Sequence, residues 1–456
     1  MHRTPLPPPR RPSPSPEDAA HGSLALSLLR EVLAQGARRA HLLPLPDGGL
    51  EVRIRGAAGL RPGPCPAMAP PVARGVVRRL KTLAGMDPDL IHGPQEGLLT
   101  LQRVPPASPV AIRVSTLPST RGETLALEVL EADGPERLSD LGLDPSDLAR
   151  VREVLHGGYG GHREQGGGRG LVLAVGPADS GKRTFLHACL RDLAESAEPA
   201  SEQDRDPPGE RAPRPVGRTI FAIDPRCPPD IPGVVTLQVR CEIGIQPWHM
   251  LRAALTMGDP DAVHVSALHD MAMAEDAVEA AASGQQILTS LACDHAPAAV
   301  QRLLDLCVAP YLIAAALQLV VACRALRRLC DACKVPAPAL DAEDQRRTAP
   351  RLVDEEVLTG WDVAYLPRPG GCAACAGTGH AGRVGVYEVV HRPGPLLEAI
   401  LRAHAGGGDG LTALHERART LRESALLRAA AGHVSVVEAL RRTPPAPGAA
   451  PPRACH

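Results

Sequence analysis

Between Gly170 and Leu193 the chain reads GLVLAVGPADSGKRTFLHACLRDL. A short apolar run is followed by a turn holding Gly176 and Gly181, and then by apolar residues at helical spacing. Strand, glycine turn and helix in this order are the unit of a parallel sheet with crossover helices. The turn also has the spacing G-x-x-x-x-G-K of a loop that wraps phosphate groups. In such a loop backbone N–H groups surround the anion, and the following helix presents its positive end. Gly176 and Gly181 supply backbone freedom, Lys182 supplies charge for the outer phosphates, and Ser180 and Thr184 complete the window.

Two letters break this pattern. Arg183 stands where a Ser or Thr would bind Mg²⁺, and Asp179 sits inside the loop. A guanidinium cannot ligate a metal cation. Thr184 has a hydroxyl, but one residue further along a helix points about 100° away. A carboxylate about 4 Å from a phosphate oxygen costs roughly 1–4 kcal/mol per charge pair, a penalty that Arg183 offsets in part. The alternative is an ordinary glycine-containing turn that binds nothing. Magnesium is therefore doubtful on these residues, while ATP binding stays open.

Downstream, RTIFAIDP, DAVHVSAL and QQILTSLA read as short strands, the last two separated by helical AMAEDAVEAAASG. The fold class is α/β, with a parallel sheet carrying the phosphate loop over residues 148–443. Within it, 194–217 reads as a polar, low-complexity solvated loop. The longest uncharged apolar run, CVAPYLIAAALQLVVAC from Cys307 to Cys323, is shorter than the roughly 20 residues that span a bilayer. It reads as a buried helix, and direct membrane insertion is not expected. Two further helices are expected near the C-terminus.

Ahead of this lies an α+β domain over residues 21–133, with helical SLALSLLREVLAQGARRA and VARGVVRRLKTLAGM and strand-like GLEVRIRG, GLLTLQRV, VAIRVSTL and TLALEVLEA. Residues 134–147 read as a connector, and 1–20 and 444–456 as Pro-rich disordered tails. Aromatics are only 2% of the 456 residues, so the cores must be aliphatic. A formal net charge of −1 gives no global pull toward nucleic acid or anionic lipid. The N-terminus has no apolar stretch of the secretory kind, so 12 cysteines argue for a reducing cytoplasm rather than a disulfide framework.

Four of those cysteines form two C-x₂-C pairs, Cys330 with Cys333 and Cys372 with Cys375, with 38 residues between the pairs. Four thiolates at this spacing suit tetrahedral Zn²⁺ in a structural role, because the protein fills every position. The zinc element is read as 328–380; a redox pair and four buried free thiols are the alternatives. The other eight, such as Cys189 and Cys307, read as small core residues.

From about residue 22 to 443 the chain resembles the ATPases that power type II secretion and type IV pilus assembly. RVSTLPSTRGE (Arg113 to Glu123) looks like that family's arginine-containing strand and turn, and ARRAHLLP, GLEVRIRG and RLKTLAGMD follow in its order. GPADSGKRT is similar to its phosphate loop, and GDPDAVHVSALHD (Gly258 to Asp270) to its second acidic motif. SGQQILTSLACDHAPAAVQRLLDL resembles the segment bearing its histidine motif, the cysteine element its tetracysteine segment, and RTLRESALLRAAAGHVSVVEAL its C-terminal helices. The resemblance implies a RecA-like P-loop domain behind a small N-terminal domain, hexameric rings, nucleotide between domains, and work on an inner-membrane platform protein. It makes Arg113 the candidate phosphate-contacting arginine of the first domain, ahead of Arg121 and Arg55; a plain surface strand residue is the alternative. It implies a cytoplasmic location, peripheral at the membrane only through partners. Many members carry a further docking domain ahead of the one seen here, where this chain has about 20 Pro-rich residues, so docking is expected through another surface or another partner.

The departures from the family fall on its chemistry. Where its acidic motif reads Glu-Asp-Pro-x-Glu, this chain has Ile223, Asp224, Pro225, Arg226 and Cys227, so only Asp224 remains. Ala267 follows Ser266 where the second acidic motif has its Glu, and Ala292 stands at the histidine position; His295, His264 and His269 lie nearby but none at the matching place. Phosphoryl transfer to water needs a metal and a group that orients the water, and no intact catalytic set is left. The leading reading is a pseudo-ATPase subunit in a homo- or hetero-hexamer with related ATPases. The alternatives are a motor that hydrolyses ATP at an unusual metal site, with Asp224 or Asp261 as ligand, and a protein-interaction scaffold that binds no nucleotide.

Overall fold

A computed structural model of the chain describes residues 16–444 apart from 36, 38, 57–58, 64, 102–109, 131–136, 158–168, 197–217, 225–230, 238, 240–244, 259, 342, 346–351, 354–357, 359–360, 376 and 392–418. The chain divides into two compact units, Met1–Gly134 and Pro135–His456. Most of the loop expected at 194–217, both expected tails beyond 16–20 and 444, and Cys227 lie outside the described residues.

In the first unit, helix α1 (Pro16–Ala34) starts inside the stretch read as a disordered tail. Strands β1 (Arg39–Pro44), β2 (Leu50–Gly56) and β3 (Gly59–Pro62) precede helix α2 (Pro70–Leu83), and β4 (Gln95–Leu101), β5 (Val110–Ser119) and β6 (Gly122–Leu130) follow it. They form one antiparallel sheet in the order β3-β2-β1-β6-β5-β4. Alternate residues point to one face, so Ala40, Leu42, Val52, Ile54, Ile112, Val114, Leu125 and Leu127 form a core with Leu28, Leu29, Val76 and Leu80 of the helices. On the other face the register brings charges together: Arg39 and Arg113 both lie opposite Glu128.

Lys81 of α2 is fully buried, and its Nζ donates to the Leu90 carbonyl and to Glu123 Oε1, each at 2.8 Å. A buried ammonium is tolerable only while this carboxylate stays. The pair therefore fastens α2 to the β5–β6 hairpin.

In the second unit, α3 (Pro145–His156) is followed by β7 (Leu171–Val175), α4 (Lys182–Glu195), β8 (Ile220–Ile223), β9 (Val234–Leu237), α5 (Pro247–Met257), β10 (Ala262–Val265), α6 (Met271–Ala282), β11 (Gln286–Leu291), α7 (Ala296–Asp305), α8 (Pro310–Ala316), β12 (Leu317–Leu329), β13 (Val335–Pro338), β14 (Val363–Leu366), β15 (His380–His391), α9 (Leu421–Ala430) and α10 (Val436–Arg442). The main sheet has the order β15-β12-β7-β11-β10-β8-β9, parallel throughout except for the edge strand β15. Period-two alternation sorts each strand between two cores. Leu171, Leu173 and Val175 join one core with α6 to α10, while Val172 and Ala174 join the other with α3 and α4.

Three expectations need correction. The apolar run read as one buried helix is a helix only to Ala316; from Leu317 it becomes β12, buried on both faces between β15 and β7. A continuous apolar stretch carries no periodicity to separate a buried helix from a buried strand, and only the neighbouring strands decide. The stretch read as a connector adds Leu138 and Leu141 to the core under α4. Cys189 is buried, but Cys307 is exposed, in a left-handed turn (φ 61) that closes α7.

Replacing Lys81 by Ala is expected to destabilise the protein by about 3–5 kcal/mol, because Glu123 is left charged and buried. The double change Lys81→Met with Glu123→Leu should recover most of that loss. Denaturant midpoints of the three proteins test it; equal midpoints for Lys81→Ala and the parent would refute it.

Candidate functional site

Ligands of open parallel sheets bind at the carboxyl ends of the strands. At that end β7, β11, β10 and β8 lie side by side. The loop 176–181 leaves β7, Asp224 follows β8, Ser266 and Ala267 follow β10, and Ala292 follows β11. The sheet thus gathers residues that the sequence spreads over more than a hundred positions.

The loop holds its shape through two glycines and one strained residue. Gly176 has φ 151, and a Cβ there would meet Ser180 Oγ and, at 2.7 Å, the Cys323 carbonyl oxygen. Asp179 is exposed and sits in the left-handed region at φ 59. Gly181, φ 95, caps α4, and nothing stands within 4 Å of where its Cβ would be. Ser180 is buried and its Oγ has no hydrogen-bond partner. Lys182 Nζ folds back on the loop, donating to the carbonyls of Gly176 at 2.6 Å and Pro177 at 2.7 Å. Burial lowers its pKa from the usual lysine range. Thr184 is half-buried in the first turn of α4.

Arg183, one step along that turn, reaches Asp224: Nε lies 3.3 Å from Oδ2, and Nη2 donates to Oδ1 at 3.4 Å. The Asp224 side chain is 1% exposed and that of Arg183 39%. A guanidinium therefore neutralises the acid left at the β8 end, where the family resemblance implies magnesium chemistry. Ile223 is fully buried, Ala267 is half-buried and Ala292 is exposed; none of them offers a polar side chain.

Two histidines back Asp224. His187 lies one turn beyond Arg183 on α4, with Nε2 4.0 Å from Asp224 Oδ2. His264 of β10 is buried, and its ring stands edge-on to that of His187 at 5.9 Å between centroids. Burial depresses both imidazoles, His187 to about 3. In the sequence His264 stands out only by its place near the second acidic motif, and His187 is not among the candidate residues. The usable signal is an imidazole in an otherwise apolar strand, and another on the buried face of a helix.

Arg113 lies in the first unit. Its guanidinium is held between Glu96 and Glu128, each at 2.7 Å, and it is 6% exposed. Phosphate contact there would compete with two carboxylates. Arg121 and Arg55 also belong to that unit.

The cysteine pairs come together between the end of β12 and the start of β15. Cys330 Sγ lies 3.8 Å from Cys372 Sγ, Cys333 Sγ 3.8 Å from Cys375 Sγ, and Cys372 Sγ 3.8 Å from Cys375 Sγ. A tetrahedron with metal–sulfur bonds of about 2.3 Å has edges of about 3.8 Å; a disulfide would need about 2.05 Å. The amides of Cys372 and Gly379 each donate to Cys375 Sγ at 3.2 Å, and these bonds pull its thiol down to about 6. Gly371 (φ 55) lies so close that a Cβ would meet Cys375 Sγ at 2.8 Å.

Comparison with known proteins agrees with this architecture. The profile of the family described as Type II/IV secretion system protein matches residues 17–441. The chain is 29% identical to the type II secretion system protein HxcR of Pseudomonas aeruginosa, over 93% of this chain and 79% of that protein. It is 29% identical to the type II secretion system ATPase E of Vibrio cholerae, over 94% of this chain and 76% of that protein. Its fold matches the crystal structure of the pilus retraction motor PilT with bound ADP at a TM-score of 0.57 and 16% identity, covering 92% of this chain and 96% of that one.

Gly176→Ala should cost more than about 2 kcal/mol, since both positive φ and backbone contact oppose a Cβ. Gly181→Ala meets only the conformational strain, of about 1–2 kcal/mol. Thermal unfolding of the two variants tests this order, and a Gly181→Ala loss equal to or above that of Gly176→Ala would contradict it.

Proposed function

This chain belongs to the Type II/IV secretion system protein family, and we propose that it is a nucleotide-binding subunit of a secretion or pilus-assembly motor in which hydrolysis is impaired. One observation carries the proposal. Arg183 sits at the magnesium-ligand position and is bound to Asp224, the acid that remains in the first motif.

The loop fits a nucleotide phosphate. Gly176 makes a recess that a Cβ would fill, Gly181 faces open space, and the Ser180 hydroxyl is buried without a partner. Backbone N–H groups of 178–181 and the start of α4 would hold the phosphates, with Lys182 exchanging its two loop carbonyls for phosphate oxygens. The same residues do not fit Mg²⁺. The hydroxyl ligand is replaced, the nearest acid carries a guanidinium, and Ala267 and Ala292 cannot orient water. A positioned electrostatic group contributes about 10²-fold or more to such a step, and several are replaced together. In this reading Arg183 supplies fixed positive charge where a cycling motor would use a metal. The second unit is then a RecA-like P-loop domain that binds nucleotide to hold a conformation rather than to turn over.

The cysteine cluster is assigned as a structural zinc site held by Cys330, Cys333, Cys372 and Cys375. The protein fills all four positions, so the ion would fasten the ends of the insert between β12 and β15 and leave no open position for catalysis. No helix among the described residues is long and apolar enough to cross a membrane. The proposed setting is a hexamer, homomeric or mixed with related ATPases, on the cytoplasmic side of an inner-membrane platform protein. A second reading, a scaffold that binds no nucleotide, draws on the Lys182 bonds to the loop carbonyls.

Calorimetric titration with ATP and ADP is expected to give micromolar binding with or without Mg²⁺, abolished by Lys182→Ala. Phosphate release should not exceed that of the Lys182→Ala control. Release clearly above it would overturn impaired hydrolysis, and absent binding would favour the scaffold. Protein purified without added metal is expected to retain one tightly bound zinc that Cys333→Ser loses, with a lower unfolding temperature; metal analysis finding no zinc in the parent would refute the assignment.

A further inference from the structure

We propose that His187, Asp224 and His264 form a second metal site, for a first-row transition ion of the zinc type, buried beside the phosphate loop and separate from the cysteine cluster. It stands apart from the nucleotide reading, since it asks nothing of ATP.

Three elements converge to build it. Ala222 and Ala262 lie in the core that α4 covers. Two residues further along each strand, Asp224 and His264 share that face. His187 hangs from α4 above them. One ligand atom from each of the three lies within 4.8 Å of the others. Metal bonds of about 2.0–2.2 Å would place neighbouring ligand atoms about 3–3.5 Å apart, so the cluster needs to close by little more than an ångström.

The hydrogen bonding singles out which atoms are available. His264 Nδ1 lies 3.1 Å from the Leu288 carbonyl oxygen. A carbonyl only accepts, so Nδ1 carries the proton and Nε2 presents its lone pair. This is the arrangement in which a backbone carbonyl fixes the tautomer of a metal-binding imidazole. The Nε2 atoms of His187 and His264 are both buried, and neither has a hydrogen-bond partner. The 4.0 Å between His187 Nε2 and Asp224 Oδ2 is too long for a hydrogen bond. Two buried imidazole nitrogens are thus left without hydrogen bonds in a cluster whose candidate ligand atoms lie within 4.8 Å of one another. Burying the two nitrogens without partners is unfavourable, and a cation would satisfy both.

Arg183 is accommodated in this arrangement. Its Nη2 donates to Asp224 Oδ1, and its Nε lies 3.3 Å from Oδ2, the oxygen nearest His187, so the ion would share the carboxylate with the guanidinium. The donor set decides the ion. Two imidazoles and one carboxylate suit zinc, cobalt, nickel or iron, whereas magnesium demands an oxygen shell.

The test uses the full chain with the cysteine cluster zinc-loaded and no nucleotide. Co²⁺ is the probe, followed by visible absorption, with zinc and cobalt content measured on the same samples. The parent is expected to take up one cobalt with weak visible bands and no thiolate charge-transfer band, while zinc is retained. His187→Phe and His264→Gln should each weaken cobalt binding at least 100-fold while leaving zinc content and the circular dichroism spectrum unchanged. His187 is the safer variant, because it lies on a helix rather than within the sheet. No cobalt uptake by the parent, a thiolate charge-transfer band, or uptake by both variants equal to the parent's would each overturn the proposal. Uptake only after Arg183→Ala would also overturn it, by giving the counter-charge role to the guanidinium alone.

Discussion

A carboxylate buried at the end of a parallel strand must have a counter-charge, and at Asp224 it is the guanidinium of Arg183. The pair joins the first turn of α4 to the end of β8 across the face of the sheet. It also sets the chemistry around the phosphate loop. A fixed organic cation cannot move with a reaction, cannot activate water and cannot be exchanged with nucleotide. The loop between β7 and α4 stands at the carboxyl end of the sheet, while the surrounding strand ends carry Ile223, Ala267 and Ala292. In the function proposed above, such a site holds an anion rather than transferring a phosphoryl group.

The same unit is rigid where it needs to be. The strand bearing the loop is buried on both faces, and its neighbours β11 and β12 are paired along its whole length. Glu388 of β15, wholly buried, accepts from the first amides of α7 and α9 at 3.3 Å each. Burial pushes its pKa up to about 7, against the pull of those two N–H groups. At the far end of the β12–β15 pair the four cysteines close the insert. The loop thus stands on a sheet anchored from both sides, and one side-chain carbon added at Gly176 would press directly on the Cys323 carbonyl of β12.

Much of this was legible in residue order. GPADSGKRT between an apolar run and a helix announced the loop, and the two C-x₂-C pairs announced a four-sulfur cluster whose 3.8 Å spacings the fold supplies. The alternation in VAIRVSTL and TLALEVLEA marked strands with one core face, which β5 and β6 are. Pattern failed where periodicity was absent. Leu317 to Cys323 is apolar at every position but one, and such a stretch fits a buried helix and a central strand equally well. It failed again at the boundaries, since α1 begins inside a Pro-rich stretch and Leu138 and Leu141 pack into a core from a segment rich in turn residues.

By itself the sequence determined the chemistry available: a glycine-framed loop with one lysine, a missing hydroxyl, lost acids and four paired thiols. These are local facts, fixed by spacing along the chain. The tertiary structure alone decided which charges meet. Arg183 and Asp224 are 41 residues apart, and Asp224 and His264 sit on neighbouring strands whose order in the sheet differs from their order in the chain. Strand pairing is set by long-range packing rather than by any nearby residue, so no spacing rule could have brought His187, Asp224 and His264 to one point.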